Sequence, residues 1–194
     1  MAKLTRQDLF SLEKYAEIRA DFRARVIAHK KNRRVPLGDH AALYFEDALT
    51  MQYQIQEMLR IEKIFEAAGI QDELDVYNPL IPDGRNWKAT FMVEYADEDE
   101  RRAALARLVG IEKDIWMRVE GFDPVFPIAN EDLERGTEDK TASVHFMRFE
   151  LTPEMVAAVK NGGEISAGVS HRNYQATLSP LPRAIRDSLA ADLA

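Results

Sequence analysis

Between Ala41 and Ala68 the chain runs without Gly or Pro and keeps an apolar residue every three or four positions. Tyr44, Ala48, Met51, Ile55, Met58 and Phe65 fall at the offsets that stack side chains along one helical face, and Gly69 follows as a left-handed C-terminal cap. The spacing predicts one long central helix. Its remaining residues are unusually polar for a segment so rich in apolar side chains: Gln52, Gln54, Gln56, Glu57, Arg60, Glu62 and Lys63, with Glu46, Tyr53, Glu57 and Arg60 in line on one side. A helix of about 27 residues extends roughly 40 Å, more than the sheet of such a domain needs for cover. Part of it is therefore expected to project or to meet a second copy, and a homo-oligomer, most simply a dimer, is expected. Covered on most sides, Glu57 and Arg60 are expected to form a buried ion pair whose disruption costs about 3–5 kcal/mol.

Upstream, Ser11 is placed to cap a helix over Leu12 to Lys31, which ends in the basic run from His29 to Arg34. Without interleaved aromatics that run reads as a solvated helix C-terminus favoured by the dipole, not as a nucleic-acid patch. Downstream of Gly69, Pro and Gly interrupt the chain, and residues 71–84 read as an ordered apolar loop around Leu80 and Ile81. The period changes to two at Trp87 to Tyr95, again at Ala142 to Leu151, and in a hairpin of Glu164 to His171 and Tyr174 to Ser179. Helices are predicted over Asp97 to Val109, after Thr152-Pro153, and over Arg183 to Leu193. The fold class is thus α+β: N-terminal antiparallel helices, one of them long and central, packed on a mostly antiparallel sheet with additional helices. No repeat or linker divides it, so residues 1–194 are expected to form a single domain, with a helical arm over 1–70, sheet with helices over 71–182 and a terminal helix over 183–194.

Composition narrows the functions. No cysteine occurs, which removes thiolate nucleophiles, disulfides and cysteine-ligated metal clusters, so any metal needs His, Asp or Glu. A net charge of -7 disfavours general binding to nucleic acid or anionic membranes. No run reaches the length of a membrane span, and the N-terminus lacks the apolar segment of a secretory signal, so a cytoplasmic location is expected. Phosphate-binding, dinucleotide-binding, nucleophile-elbow and His-Glu-x-x-His motifs are all missing.

Histidine phase is the most informative residue-level signal. His145 shares its strand face with Met147, Phe149 and Leu151, and His171 shares its own with Ile165, Ala167 and Val169, so both are expected to face the core. If the central helix packs on that face, Glu46, Glu57 or Glu62 comes within reach. Two imidazoles and a carboxylate can hold a divalent metal or perform acid–base chemistry, with Arg60 to bind an anionic substrate. A His on an apolar face is more often a core side chain satisfied by a carbonyl, so no cofactor is expected as the first reading.

The strings QIQEMLRIEK at 54–63, YNPLIPDGRNWKATFMVEY at 77–95 and VHFMRFEL at 144–151 resemble a bacterial family of uncharacterised proteins, a domain of unknown function. The resemblance runs to about Pro180. Members are often encoded beside rubrerythrin-like and iron–sulfur oxidoreductase proteins, which implies a non-catalytic accessory role with a redox partner. The chain lacks the Glu-x-x-His helix pairs of a rubrerythrin di-iron site. Leu80-Ile81 and the acidic segment Asp97 to Glu100 are the expected contact surfaces. The alternative is a metal-dependent or acid–base enzyme using His145, His171 and Glu57.

Overall fold

The computed structural model describes residues 3–133, 135–137 and 139–194. Ser11 accepts the Lys14 N–H and opens α1 (Leu12–Lys30), whose Tyr15, Phe22 and Val26 are buried. The chain then forms β1 (Arg34–Pro36), β2 (Ala41–Phe45), α2 (Ala48–Glu62), α3 (Ala67–Tyr77), β3 (Asn86–Val93) and α4 (Glu98–Arg107). It continues through β4 (Ile115–Val119), β5 (Ile128–Ala129), β6 (Val144–Glu150), α5 (Pro153–Lys160), β7 (Ile165–His171), β8 (Tyr174–Leu178) and α6 (Arg183–Ala190). Every strand pairing is antiparallel, so the architecture is α+β.

The expected central helix is three elements. Residues 41–45 are a strand because they pair with β3 in a register that sets Leu43 opposite Phe91, and the flanking apolar residues mask the period of two. Asp47 then starts α2 through a reciprocal cap: its carboxylate accepts the Thr50 N–H, and the Thr50 hydroxyl accepts the Asp47 N–H, each at 2.9 Å. Lys63 ends α2 in the left-handed region at φ 56°. Gly69 is not the cap. It lies inside α3, where a Cβ would come within 2.7 Å of Ile64 Cγ2, so its value is close approach. The expected helical arm over residues 1–70 is likewise interrupted by β1 and β2, and residues 71–77 are helix, not loop. With α2 only 15 residues long, the length that called for a second subunit is gone.

Strand order β1-β2-β3-β6-β5 makes a five-stranded sheet, and β4-β7-β8 a three-stranded one. Their apolar faces share one core, with Phe91 and Phe149 from the first, Ile115 and Val169 from the second, and Val156 of α5 and Leu189 of α6. Two smaller clusters join α1 to α2 and α2 to α3. The amides of α2 serve this packing: Gln56, fully buried, accepts the Phe10 N–H at 2.6 Å and donates to its carbonyl, and Gln52 donates to the Asp8 carbonyl. No helix of the described residues is long and apolar enough to cross a membrane.

The basic run after α1 is not wholly solvated. Arg33 is 2% exposed, in phase with buried Val35 and Leu37. Its guanidinium donates to the carbonyls of Phe45 (2.9 Å) and Glu46 (3.0 Å), to Ser188 Oγ (3.1 Å) and to Asp192 Oδ2 (2.6 Å). Burial pushes the Asp192 carboxyl up to about 6, against the pull of Arg33. Asp192→Ala strips a buried guanidinium of its closest counter-charge and is expected to cost about 3–5 kcal/mol in urea melts. A loss under about 1 kcal/mol would mean that Asp47, Ser188 and the two carbonyls suffice to hold Arg33. Lys63→Gly relieves the left-handed backbone and is expected to stabilise by about 0.5–1 kcal/mol in the same assay.

Candidate functional site

The alternation of β6 turns His145 inward with Met147 and Phe149, as its phase in the sequence predicts, and leaves it fully buried. The Asn130 amide donates to Nδ1 at 2.9 Å, which makes Nε2 the protonated nitrogen. That N–H points to the Ala142 carbonyl (3.1 Å) and Thr141 Oγ1 (2.8 Å), and the Thr141 hydroxyl continues toward Glu112 Oε2 at 3.5 Å. Burial pushes the imidazole below its ordinary pKa, with Glu112 opposing, so His145 is neutral near pH 7. A cleft of about 670 Å³ lies beside this chain, lined by Glu112, Lys113, Asn130, Arg135 and Thr141. Asn130 Oδ1 is buried there without a partner among the described residues.

His171 does not join His145. It lies on β7 in the other sheet, and both its nitrogens are engaged: Nε2 with the Val109 carbonyl (3.2 Å), Nδ1 with the Asn173 N–H (3.2 Å). Glu57 is elsewhere again, on α2 facing α1. Arg19 grips it with two bonds of 2.8 and 2.9 Å and the Tyr15 hydroxyl donates at 2.7 Å, while Arg60 reaches it only at 3.3 Å from an exposed position. The bidentate Arg19 bond, with Tyr15 and Arg60 adding to it, holds the Glu57 carboxyl down to about 2 despite partial burial. Glu46, at the end of β2, accepts the hydroxyls of Thr90 and Thr50, and Glu62 is exposed. Among the described residues no three of His, Asp and Glu converge as metal ligands.

Arg19 and Tyr15, the partners of Glu57, lie in a different helix, far from it in sequence. Their spacing of four residues, which puts both on one helical face, was the available signal. For Arg33 it was the alternation through Val35 and Leu37.

A different surface is apolar and exposed. A groove of about 650 Å³ opens on the five-stranded sheet beside α3, lined by Val76, Leu80, Ile128, Leu133 and Phe146. Val76, Ile128 and Leu133 are 62%, 44% and 54% exposed. Its polar rim is already paired. Arg148 binds both oxygens of Glu131 (2.8 and 2.6 Å) and also Glu150, and Lys88 donates to the Pro79 carbonyl. Leu80 of the expected contact loop lines this groove, whereas Ile81 is buried and does not. The acidic segment at Asp97 serves α4, Asp97 accepting the Glu100 N–H at 2.9 Å.

Residues 3–193 match the family described as "Protein of unknown function (DUF3501)". No curated protein matches the chain. A crystal structure of a novel protein of unknown function from Burkholderia pseudomallei is 53% identical over 100% of both chains, with a TM-score of 0.94.

The Glu57 geometry sets a ranking opposite to the expected Glu57–Arg60 pair. Arg19→Ala is expected to destabilise more than Arg60→Ala, whose loss should stay below about 1 kcal/mol. Because the folded pKa of Glu57 lies below its unfolded value, its stabilisation is present above about pH 4.5 and is lost as pH falls toward about 2. The stability difference between wild type and Glu57→Gln, from urea melts across that range, should therefore shrink with acidification. A constant difference would show that the charge is not what Glu57 contributes.

Proposed function

Since this chain belongs to the DUF3501 family, described only as of unknown function, we propose from its own geometry that it is a non-catalytic accessory protein that docks a partner in the apolar groove beside α3. The observation that carries this reading is the contrast between the groove's exposed apolar lining and its rim, where Arg148, Glu131, Glu150 and Lys88 are engaged with one another or with backbone. Such a surface offers apolar area to be buried and fixed charges for orientation, the anatomy of an interface with an apolar centre and a polar rim. Exposed side chains that contribute nothing to the chain's own core are the ones that gain by association. The partner implied by the family resemblance is a redox protein of the rubrerythrin-like or iron–sulfur oxidoreductase kind.

Val76→Asp and Leu133→Asp place charge in the groove at exposed positions and are expected to change stability by no more than about 0.5 kcal/mol. In pull-downs from the native host under reducing and oxidising conditions, the wild type should recover a redox protein, and both variants should lose it. Recovery of no redox protein under either condition, or recovery that both variants retain, would sink the proposal.

A further inference from the structure

Glu46 and Asp47 are adjacent buried carboxylates with opposite surroundings. Asp47 has two basic neighbours, His29 at 2.5 Å and Arg33 at 3.4 Å. Burial works against its charge, but Arg33, the Thr50 N–H and His29 hold its carboxyl below the usual range. Glu46 is 8% exposed, and among the described residues no basic side chain comes within 4.0 Å of it. It accepts the Thr90 hydroxyl on Oε1 at 2.9 Å and the Thr50 hydroxyl on Oε2 at 2.7 Å, so both threonines serve it as donors. Buried charges are normally paired. The fold supplies Glu46 with hydrogen bonds and leaves its counter-charge to come from elsewhere.

The place for it is visible. A cleft of about 600 Å³ lies between the end of α1 and the outer face of the five-stranded sheet, and Glu46 lines it. Ile27, Tyr44 and Met92 form apolar walls, and Lys30, Lys31 and Arg34 supply the basic lining. Tyr44 is fixed, since its hydroxyl donates to Glu94 and receives Arg34 Nε at 2.9 Å, and Arg34 is itself paired with Glu94 at 3.1 Å. Lys30 and Lys31 form no ion pair among the described residues. The cleft therefore holds, among the described residues, one carboxyl side chain without a basic partner and two lysines without an acidic one, set around an apolar wall.

We propose that this cleft binds a small zwitterion with an apolar body, a free α-amino acid with an apolar side chain. Its ammonium pairs with Glu46, its carboxylate with the flexible Lys30 and Lys31, and its side chain rests on Ile27, Tyr44 and Met92. The volume is in the range of small-molecule sites. The site is separate from the apolar groove, so either can fail without the other.

The test is calorimetric titration of the full chain with L-leucine and L-phenylalanine, with isoamylamine (the amine without the carboxylate) and with 4-methylpentanoate (the carboxylate without the amine). Saturable binding of an amino acid is expected, with the two half-ligands weaker by about tenfold or more. Glu46→Gln should abolish amino-acid binding. The double variant Lys30→Ala/Lys31→Ala, at a half-buried and an exposed position outside the core, should weaken the amino acid by about tenfold and leave isoamylamine unchanged. No saturable signal with either amino acid at about 10 mM would overturn the proposal, as would affinity unchanged in the double lysine variant. So would a ligand-free double lysine variant that melts as low as Glu46→Gln, because a lysine would then be the counter-charge of Glu46.

Discussion

A buried guanidinium organises this fold. Arg33 is nearly inaccessible, and its donors reach the end of β2 at Phe45 and Glu46 and α6 through Ser188 and the following Asp192. Leaving such a charge unpaired in the core costs several kcal/mol, so each contact is in effect required. The C-terminal segment is thereby tied to the start of the five-stranded sheet. Trp87 Nε1 reinforces the tie by donating to the Leu189 carbonyl at 3.0 Å. A helix as short as α6 is not stable alone, and this pairing together with Leu189 in the core keeps it in place.

The same node shapes the two surfaces proposed to bind ligands or partners. Because the Arg33 side chain is directed inward, its neighbours Lys30, Lys31 and Arg34 line the cleft over Glu46. Because Asp47 is held by Arg33 and His29 and caps α2, Thr50 is delivered to Glu46 one turn into the helix. On the other end of the sheet, β5 is a two-residue edge strand, and the short pairing leaves Ile128 at the rim of the apolar groove. The histidines, by contrast, are built into the two sheets. His145 and His171 each have both nitrogens in hydrogen bonds with the protein itself, which is how a core imidazole is normally accommodated.

Much of the local structure was legible in the sequence. Ser11, Asp97 and Thr152 cap the helices expected of them, the Trp87 and Val144 strands keep their phase, and Arg172-Asn173 joins β7 to β8. These features depend on neighbours a few residues apart, whose sterics and capping bonds act in any context. The stretch over residues 41–68 misled because Ala41 to Phe45 is apolar at nearly every position, and a run of that kind fits a buried strand as well as a helix. Only pairing with β3 distinguishes them. At Lys63 the chain turns left-handed at a residue that carries no such signal, and Gly69, which does carry it, lies within α3.

The sequence by itself determined the class of fold, the inward phase of His145 and His171, and the lack of any cysteine thiolate, since those follow from composition and from periods of two and 3.6. Tertiary structure alone decided which charges meet. Glu57 was expected to pair with Arg60 three residues away, but Arg19, 38 residues distant in sequence, takes both its oxygens from α1. Arg33 meets Asp192 across 159 residues, and Glu46 is left with hydroxyls alone. Ion pairing depends on separation in space and on burial, and both are set by how helices and sheets pack, not by spacing along the chain.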